Sequence, residues 1–99
     1  MNMQKLMMEA QKMQAKLQKD QAELESTTYE GNSSLVSVKI NGKKEVTSIK
    51  INMDEDISKD DIEMLEDMIM IAINEAVKKA DNDKEKKLGK YGQGLTGLM

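Results

Sequence analysis

The spacing of apolar positions changes twice along the chain. From Asn2 to Ser26 they fall at Met3, Leu6, Ala10, Met13, Leu17 and Leu24. These steps of three, four, three, four and seven make a heptad seam, with Asp20 in its missing slot. The residues between are Gln, Lys, Met, Ala and Glu, good helix formers, uninterrupted by Gly or Pro. The pattern predicts a long helix over 1–26 whose narrow seam wants a partner helix. From Leu35 to Ile40 the period falls to two, with Val36, Val38 and Ile40 on one face. Thr27-Thr28-Tyr29 favours a preceding strand, and Gly31-Asn32-Ser33 reads as a turn. Asn41-Gly42 is a hairpin signal of the type I′ kind, which needs positive φ at both central residues. The return strand carries Ile49, Ile51 and Met53 on one face. Val46 falls out of phase, as at a bulge or a turn's end. The expectation is a three-stranded antiparallel meander over 27–53, too small to stand without a cover.

The cover follows. Ser58 precedes Asp61 by three, capping-box spacing with Asp in the Glu slot. A second helix is expected over 58–88, with Ile62, Leu65, Ile69, Ala72, Ala76 and Ala80 at threes and fours. Met64, Met68, Ile71, Ile73 and Val77 widen that stripe, so residues 68–73 are apolar nearly all round. One side can cover the sheet, and the other has no partner left in the chain. Asp81-Asn82-Asp83 is the place where this helix could break. The tail 89–99 has four Gly in eleven residues and is expected to be mobile. The reading is a single α+β domain over 1–99: long N-terminal helix, three-stranded antiparallel sheet, long C-terminal helix.

Composition sharpens this picture. Ninety-nine residues give a poor ratio of core to surface, and the chain has no Cys for a disulfide or thiolate metal site. Oligomerisation is the remaining source of stability, so a homodimer is expected. Its interface is placed at Leu65, Met68, Ile69, Ala72, Ile73 and Ala76. His is also absent, so the usual general base, nucleophiles and soft ligands are missing, and an enzyme is not expected. No cofactor is implied. The acids at Asp54, Glu55, Asp56, Asp60 and Asp61 lack the loop Gly and closing Glu of a calcium-binding hand. They suit a helix N-terminus, where the dipole favours them, and no metal is expected. The ten Met residues sit mostly at core-like helical positions, and Met7 and Met8 are ambiguous. Tyr29 and Tyr91 are too few for a base-stacking platform. Met1 to Lys5 leads into a polar segment, and the longest apolar run is Met68 to Ile73, so a soluble cytoplasmic protein is expected.

Charge is segregated. The net charge is −3. Yet residues 1–19 carry four Lys and one Glu, residues 54–67 eight acids and one Lys, and residues 78–90 six Lys and three acids. On the first helix Lys5, Lys12, Lys16 and Lys19 fall within about 60° of one another, centred about 120° from the seam. Lys79, Lys86 and Lys90 would share a face of a continuing second helix, with Lys87 beside them. Two readings of these lysines stay open. They contact DNA phosphates, or they are a solvated face with pairs such as Lys5–Glu9 and Lys19–Glu23. Every basic residue is Lys, so the bidentate guanine reading available to Arg is missing. The alternative to DNA is a protein-interaction module in which the first helix's seam docks a partner helix.

Several stretches resemble the YbaB/EbfC nucleoid-associated proteins of bacteria. They are the opening MNMQKLMMEAQKMQAKLQ, the β segments GNSSLVSVKING and KEVTSIKI, the tail GKYGQGLTGLM, and above all DIEMLEDMIMIAINEAVKKA at 61–80. Its E-M-L-E-D core, with Asn74 and Ala76 downstream, is similar to the family signature. The resemblance covers nearly the whole chain. Two departures are the lack of Pro in the tail and the complete absence of Arg, which thins the basic surface. The resemblance implies an intertwined, tweezers-like homodimer that binds double-stranded DNA, alters its conformation and gene expression, and associates with the nucleoid. It also implies no catalytic residue and no cofactor. It supplies no contact residue, so the candidate DNA contacts rest on charge placement: Lys5, Lys12, Lys16, Lys19, Lys79, Lys86, Lys87 and Lys90.

Overall fold

The computed structural model describes residues 2–92. Helix α1 spans Met3–Ser26, strands β1, β2 and β3 span Thr28–Ser33, Val36–Asn41 and Val46–Ile51, and helix α2 spans Lys59–Gly92. The sheet is antiparallel in the order β1-β2-β3. Helix α1 starts where the Asn2 side chain accepts the Gln4 amide at 3.0 Å. It stops where the Thr27 and Ser26 hydroxyls turn back onto the Glu23 carbonyl at 2.6 and 3.1 Å. Before α2, the Asp61 carboxylate accepts both the Ser58 amide and the Ser58 hydroxyl, at 3.0 and 3.1 Å. Half of the expected capping box is thus present, with the serine hydroxyl donating rather than accepting.

Val36, Val38 and Ile40 alternate onto one face of β2 and are fully buried. Helix α2 lies across β1 and β2 on that face, with Leu65, Ala72, Ala76 and Ala80 beneath it. The alanines matter for distance. A Cβ on Gly31 would stand 1.9 Å from the Ala72 carbonyl oxygen. Gly31 therefore sits inside β1, where the helix backbone touches the strand, and not in a turn. The β1–β2 turn falls instead at Ser34-Leu35, with Ser34 at φ 49°. This corrects the expected turn at 31–33.

The second hairpin also departs from expectation. Gly42 does not have positive φ, and the left-handed residue of this loop is Lys44 at φ 66°. The loop is longer than a two-residue type I′ turn. The Asn41 side chain accepts the Lys43 and Glu45 amides at 2.9 and 3.1 Å, and the Lys44 amide donates to the Asn41 carbonyl at 2.9 Å. Gly42 serves close approach: its Cβ would lie 1.9 Å from the Leu24 carbonyl oxygen, and its amide donates to Glu25 at 3.4 Å. The bulge expected near Val46 is present, as a register shift at Lys39/Ile40 that pairs Ile40 with Val46.

Helix α2 runs unbroken through Asp81-Asn82-Asp83 and continues at least to Gly92, the last described residue, past the expected 88. The remainder of the expected mobile tail, 93–99, lies outside the described residues. A reason for the continuity is visible: Asp83 is tied on one side to Tyr29 and on the other to Lys87, and Asp81 to Lys44. The C-terminal part of α2 packs on the end of α1, with Leu24 buried and Leu88 half-buried. The molecule is elongated, 71 × 23 × 14 Å, with a radius of gyration of 19.8 Å. A compact domain of this length would measure about 13 Å. Among the described residues, no helix is long and apolar enough to cross a membrane.

Candidate functional site

Helix α1 supplies the strongest candidate surface. Its C-terminal end is anchored by Leu24, buried against α2 and the sheet. Residues 2–16 are all exposed, so the first half of the helix projects as an arm. Leu17 and Asp20 are half-buried, and only this lower part of the heptad seam is covered by the chain itself. Met3, Leu6 and Met13 stand exposed on the upper part.

The lysines of the arm are at the surface. Lys5, Lys12, Lys16 and Lys19 are exposed, and among the described residues none of them forms an ion pair. Neither Lys5–Glu9 nor Lys19–Glu23, the pairs that a purely solvated face would make, is present. Four ammonium groups at spacings of seven, four and three lie along one side of a helix about 36 Å long. Such a row presents point charges that can meet a line of phosphates without reading base edges.

The lysines of α2 are placed differently. Lys79 donates to the Glu30 carbonyl at 2.7 Å and lies 3.4 Å from Glu75. It clamps the helix to β1 before it does anything else. Lys87 pairs with Asp83 at 3.2 Å. Lys86 is exposed and outside any ion pair among the described residues. The Lys90 side chain lies outside the described residues. The structure therefore groups Lys5, Lys12, Lys16 and Lys19 on one arm and leaves Lys86 near its base, whereas Lys79 and Lys87 hold the fold.

The six residues placed at a dimer seam do not make one outward surface. Leu65, Ala72 and Ala76 are buried against the chain's own sheet, and Met68, Ile69 and Ile73 are half-buried at its edge. Uncovered apolar surface remains on α2 at Ile62, Met64, Met70 and Ile71, and on the sheet. All of β3 is exposed, and Val46, Ile49 and Ile51 extend the buried face of the sheet past the edge of α2.

Sequence reading missed the link between Tyr29, Asp83 and Lys87. The Tyr29 hydroxyl donates to Asp83 across 54 positions of sequence. Burial, then the hydrogen bond and negative charge of Asp83, push the Tyr29 hydroxyl up from 10.0 to about 12. The hydrogen bond from Tyr29, with lesser help from Lys87 and Lys86, holds the Asp83 carboxyl below its ordinary value. The only signal was a lone Tyr on the apolar side of β1. Nothing in the sequence named its acceptor. Among the described residues, no group of three or more acids is placed to hold a metal ion.

No curated protein matches the chain. A family model does, over residues 1–95, which takes in both helices and the sheet. On that match, and on the helix–meander–helix order that carries an exposed lysine arm, the chain belongs to the YbaB/EbfC DNA-binding family.

Proposed function

We propose that the protein is a homodimeric nucleoid-associated protein. It binds double-stranded DNA through Lys–phosphate contacts, with little sequence preference, and so alters the conformation of the DNA and the expression of genes on it. The observation that carries this reading is the row Lys5, Lys12, Lys16 and Lys19, exposed on a projecting helix and outside any ion pair among the described residues. Lys86 extends the surface at its base, and Lys90 is a further candidate contact by its place in the same stretch of sequence. Lys79 and Lys87 take part only where DNA competes for them with Glu75, Glu30 and Asp83. No Arg is available to enter a minor groove or to grip guanine, so the contacts position the duplex and do not read it.

Dimerisation is supported by surface area and by shape. The chain exposes 7759 Å², where a compact monomer of this length would expose about 5,700 Å². The ledge of Val46, Ile49 and Ile51, next to the half-buried Ile69 and Ile73, is the apolar surface a second copy would cover. A dimer doubles the number of lysine arms. The action is physical rather than catalytic, and the place of work is the nucleoid in the cytoplasm.

The test is affinity for a random duplex measured from about 50 to 200 mM salt. Each phosphate neutralised adds about −0.9 to the slope of log K against log salt. One arm engaging all four of its lysines therefore gives a slope of about −3.6, and two arms give about twice that. An affinity indifferent to salt would refute the reading.

A further inference from the structure

Where the β2–β3 hairpin docks against the end of α1 and the side of α2, the chain encloses a cleft of about 310 Å³. Its floor is apolar: Leu24 and Ala80 are buried and Leu88 is half-buried. Its rim is cationic, with Lys43 and Lys44 from the hairpin and Lys84 from α2, against a single lining carboxylate, Glu25. Lys44 is held at 2.6 Å by Asp81. Lys43 and Lys84 are exposed and outside any ion pair among the described residues.

The fold puts real constraint into bringing these lysines together. Gly42 is backed onto the Leu24 carbonyl with no room for a Cβ. The left-handed Lys44 turns the chain so that its ammonium reaches α2. With Lys44 paired to Asp81, Lys43 and Lys84 bring two further like charges to one concavity, and their repulsion is relieved by an anion. An apolar floor under a rim with three lysines to one carboxylate also concentrates positive field in the cleft. The volume stands at the lower end of the range of about 300–1,000 Å³ for small-molecule sites. Gln21 and Leu24 line it from the α1 side that bears the seam. The row of arm lysines lies on a different side of that helix, about 120° round from the seam. The cleft is therefore a separate site.

We infer that this cleft binds a phosphate group, held by Lys43 and Lys84 with Lys44 in support, its carrier resting on Leu24, Ala80 and Leu88. The phosphate comes either from a small phosphorylated molecule or from a DNA backbone, and the chemistry at the lysines is the same for both. The inference does not depend on the arm lysines binding DNA.

The experiment follows the methyl NMR signals of Leu24, Ala80 and Leu88 in the full chain during titration with inorganic pyrophosphate and, separately, with a short random duplex. The comparison protein is Lys43→Gln with Lys84→Gln, both exposed positions at which the fold is not at stake. Saturable shifts with pyrophosphate, weakened about tenfold in the double variant as expected for a lost charged contact, support a small-molecule site. Shifts with the duplex alone, weakened in the double variant but kept when Lys12→Glu and Lys16→Glu disable the arm, support a backbone site. No shift with either probe, or shifts that the double variant leaves unchanged, overturns the inference. Duplex affinity followed by fluorescence anisotropy on the same samples reports separately on the arm.

Discussion

The Tyr29 hydroxyl lies between the packed face of the sheet and the Asp83 carboxylate, and its position fixes two pH limits. Folding raises its pKa from 10.0 to about 12, so the folded chain holds this proton more tightly than the unfolded chain. The stability it contributes is complete below pH 10 and is lost as pH climbs from 10 towards 12. Asp83 is shifted downwards, so its contribution is complete above the ordinary carboxylate range and is lost as pH falls through and below that range. Tyr29→Phe should lower the stability by about 1.5–3 kcal/mol at neutral pH, the size of a hydrogen bond to a charged group. Urea unfolding at fixed protein concentration checks this, and the variant's alkaline limb should be flatter than the parent's. Gly42→Ala should cost about 1–3 kcal/mol, because the new methyl meets the Leu24 carbonyl oxygen at 1.9 Å and the hairpin must back away. The sequence showed a glycine in a turn. It could not show that the glycine serves contact with another element rather than positive φ, since that depends on where α1 ends. Gly31 was misread for the same reason: its neighbour is Ala72, forty-one positions away.

At the scale of elements, α1 divides into a part with a partner and a part without one. The lower seam is covered by α2 and the upper seam is not, although one heptad pattern runs through both. Lys12→Glu with Lys16→Glu should abolish duplex binding in an anisotropy assay while circular dichroism and sedimentation remain those of the parent. Both residues are exposed and contribute nothing to packing. Unchanged binding would point instead to a docking role for the exposed Met3, Leu6 and Met13. The type and order of the five elements were legible because period and capping agree with the final fold. The period of two over 35–40 became β2, and the seam became α1. The end of α2 was less legible, since Asp81-Asn82-Asp83 discourages a helix locally. Its partners Lys44, Tyr29 and Lys87 outweigh that tendency.

For the whole molecule, the packing of α2 on its own sheet decides which apolar surfaces stay open to a second copy in the proposed dimer. The small alanines of α2 draw it close to β1 and β2, so Leu65, Ala72 and Ala76 end inside the protomer. That left β3 uncovered, along with Ile62, Met64, Met70 and Ile71 on the outer side of α2. Ile49→Asp with Ile51→Asp should convert a dimer into a monomer by analytical ultracentrifugation, and should weaken DNA affinity by removing the second arm. The protomer itself should stay folded, because both side chains are already about half exposed, at 48% and 39%. That α2 could not bury its whole apolar stripe within the chain was legible in residues 68–73, where Met70 and Ile71 stay exposed. Which of its residues pack on the chain's own sheet was not, because helical spacing alone does not say which side of a stripe a helix lays on its sheet.

The separation of charge along this elongated shape governs how the protein travels. Acids crowd residues 54–67 before and within the first turns of α2, and the lysine arm extends from the far end of that helix. The molecule is thus a long electric dipole, with its cationic arm foremost whenever it drifts towards a polyanion. A chain with net charge −3 should still be retained by a heparin or phosphocellulose column at low salt, and by an anion exchanger as well. Its orientation on each resin would be opposite.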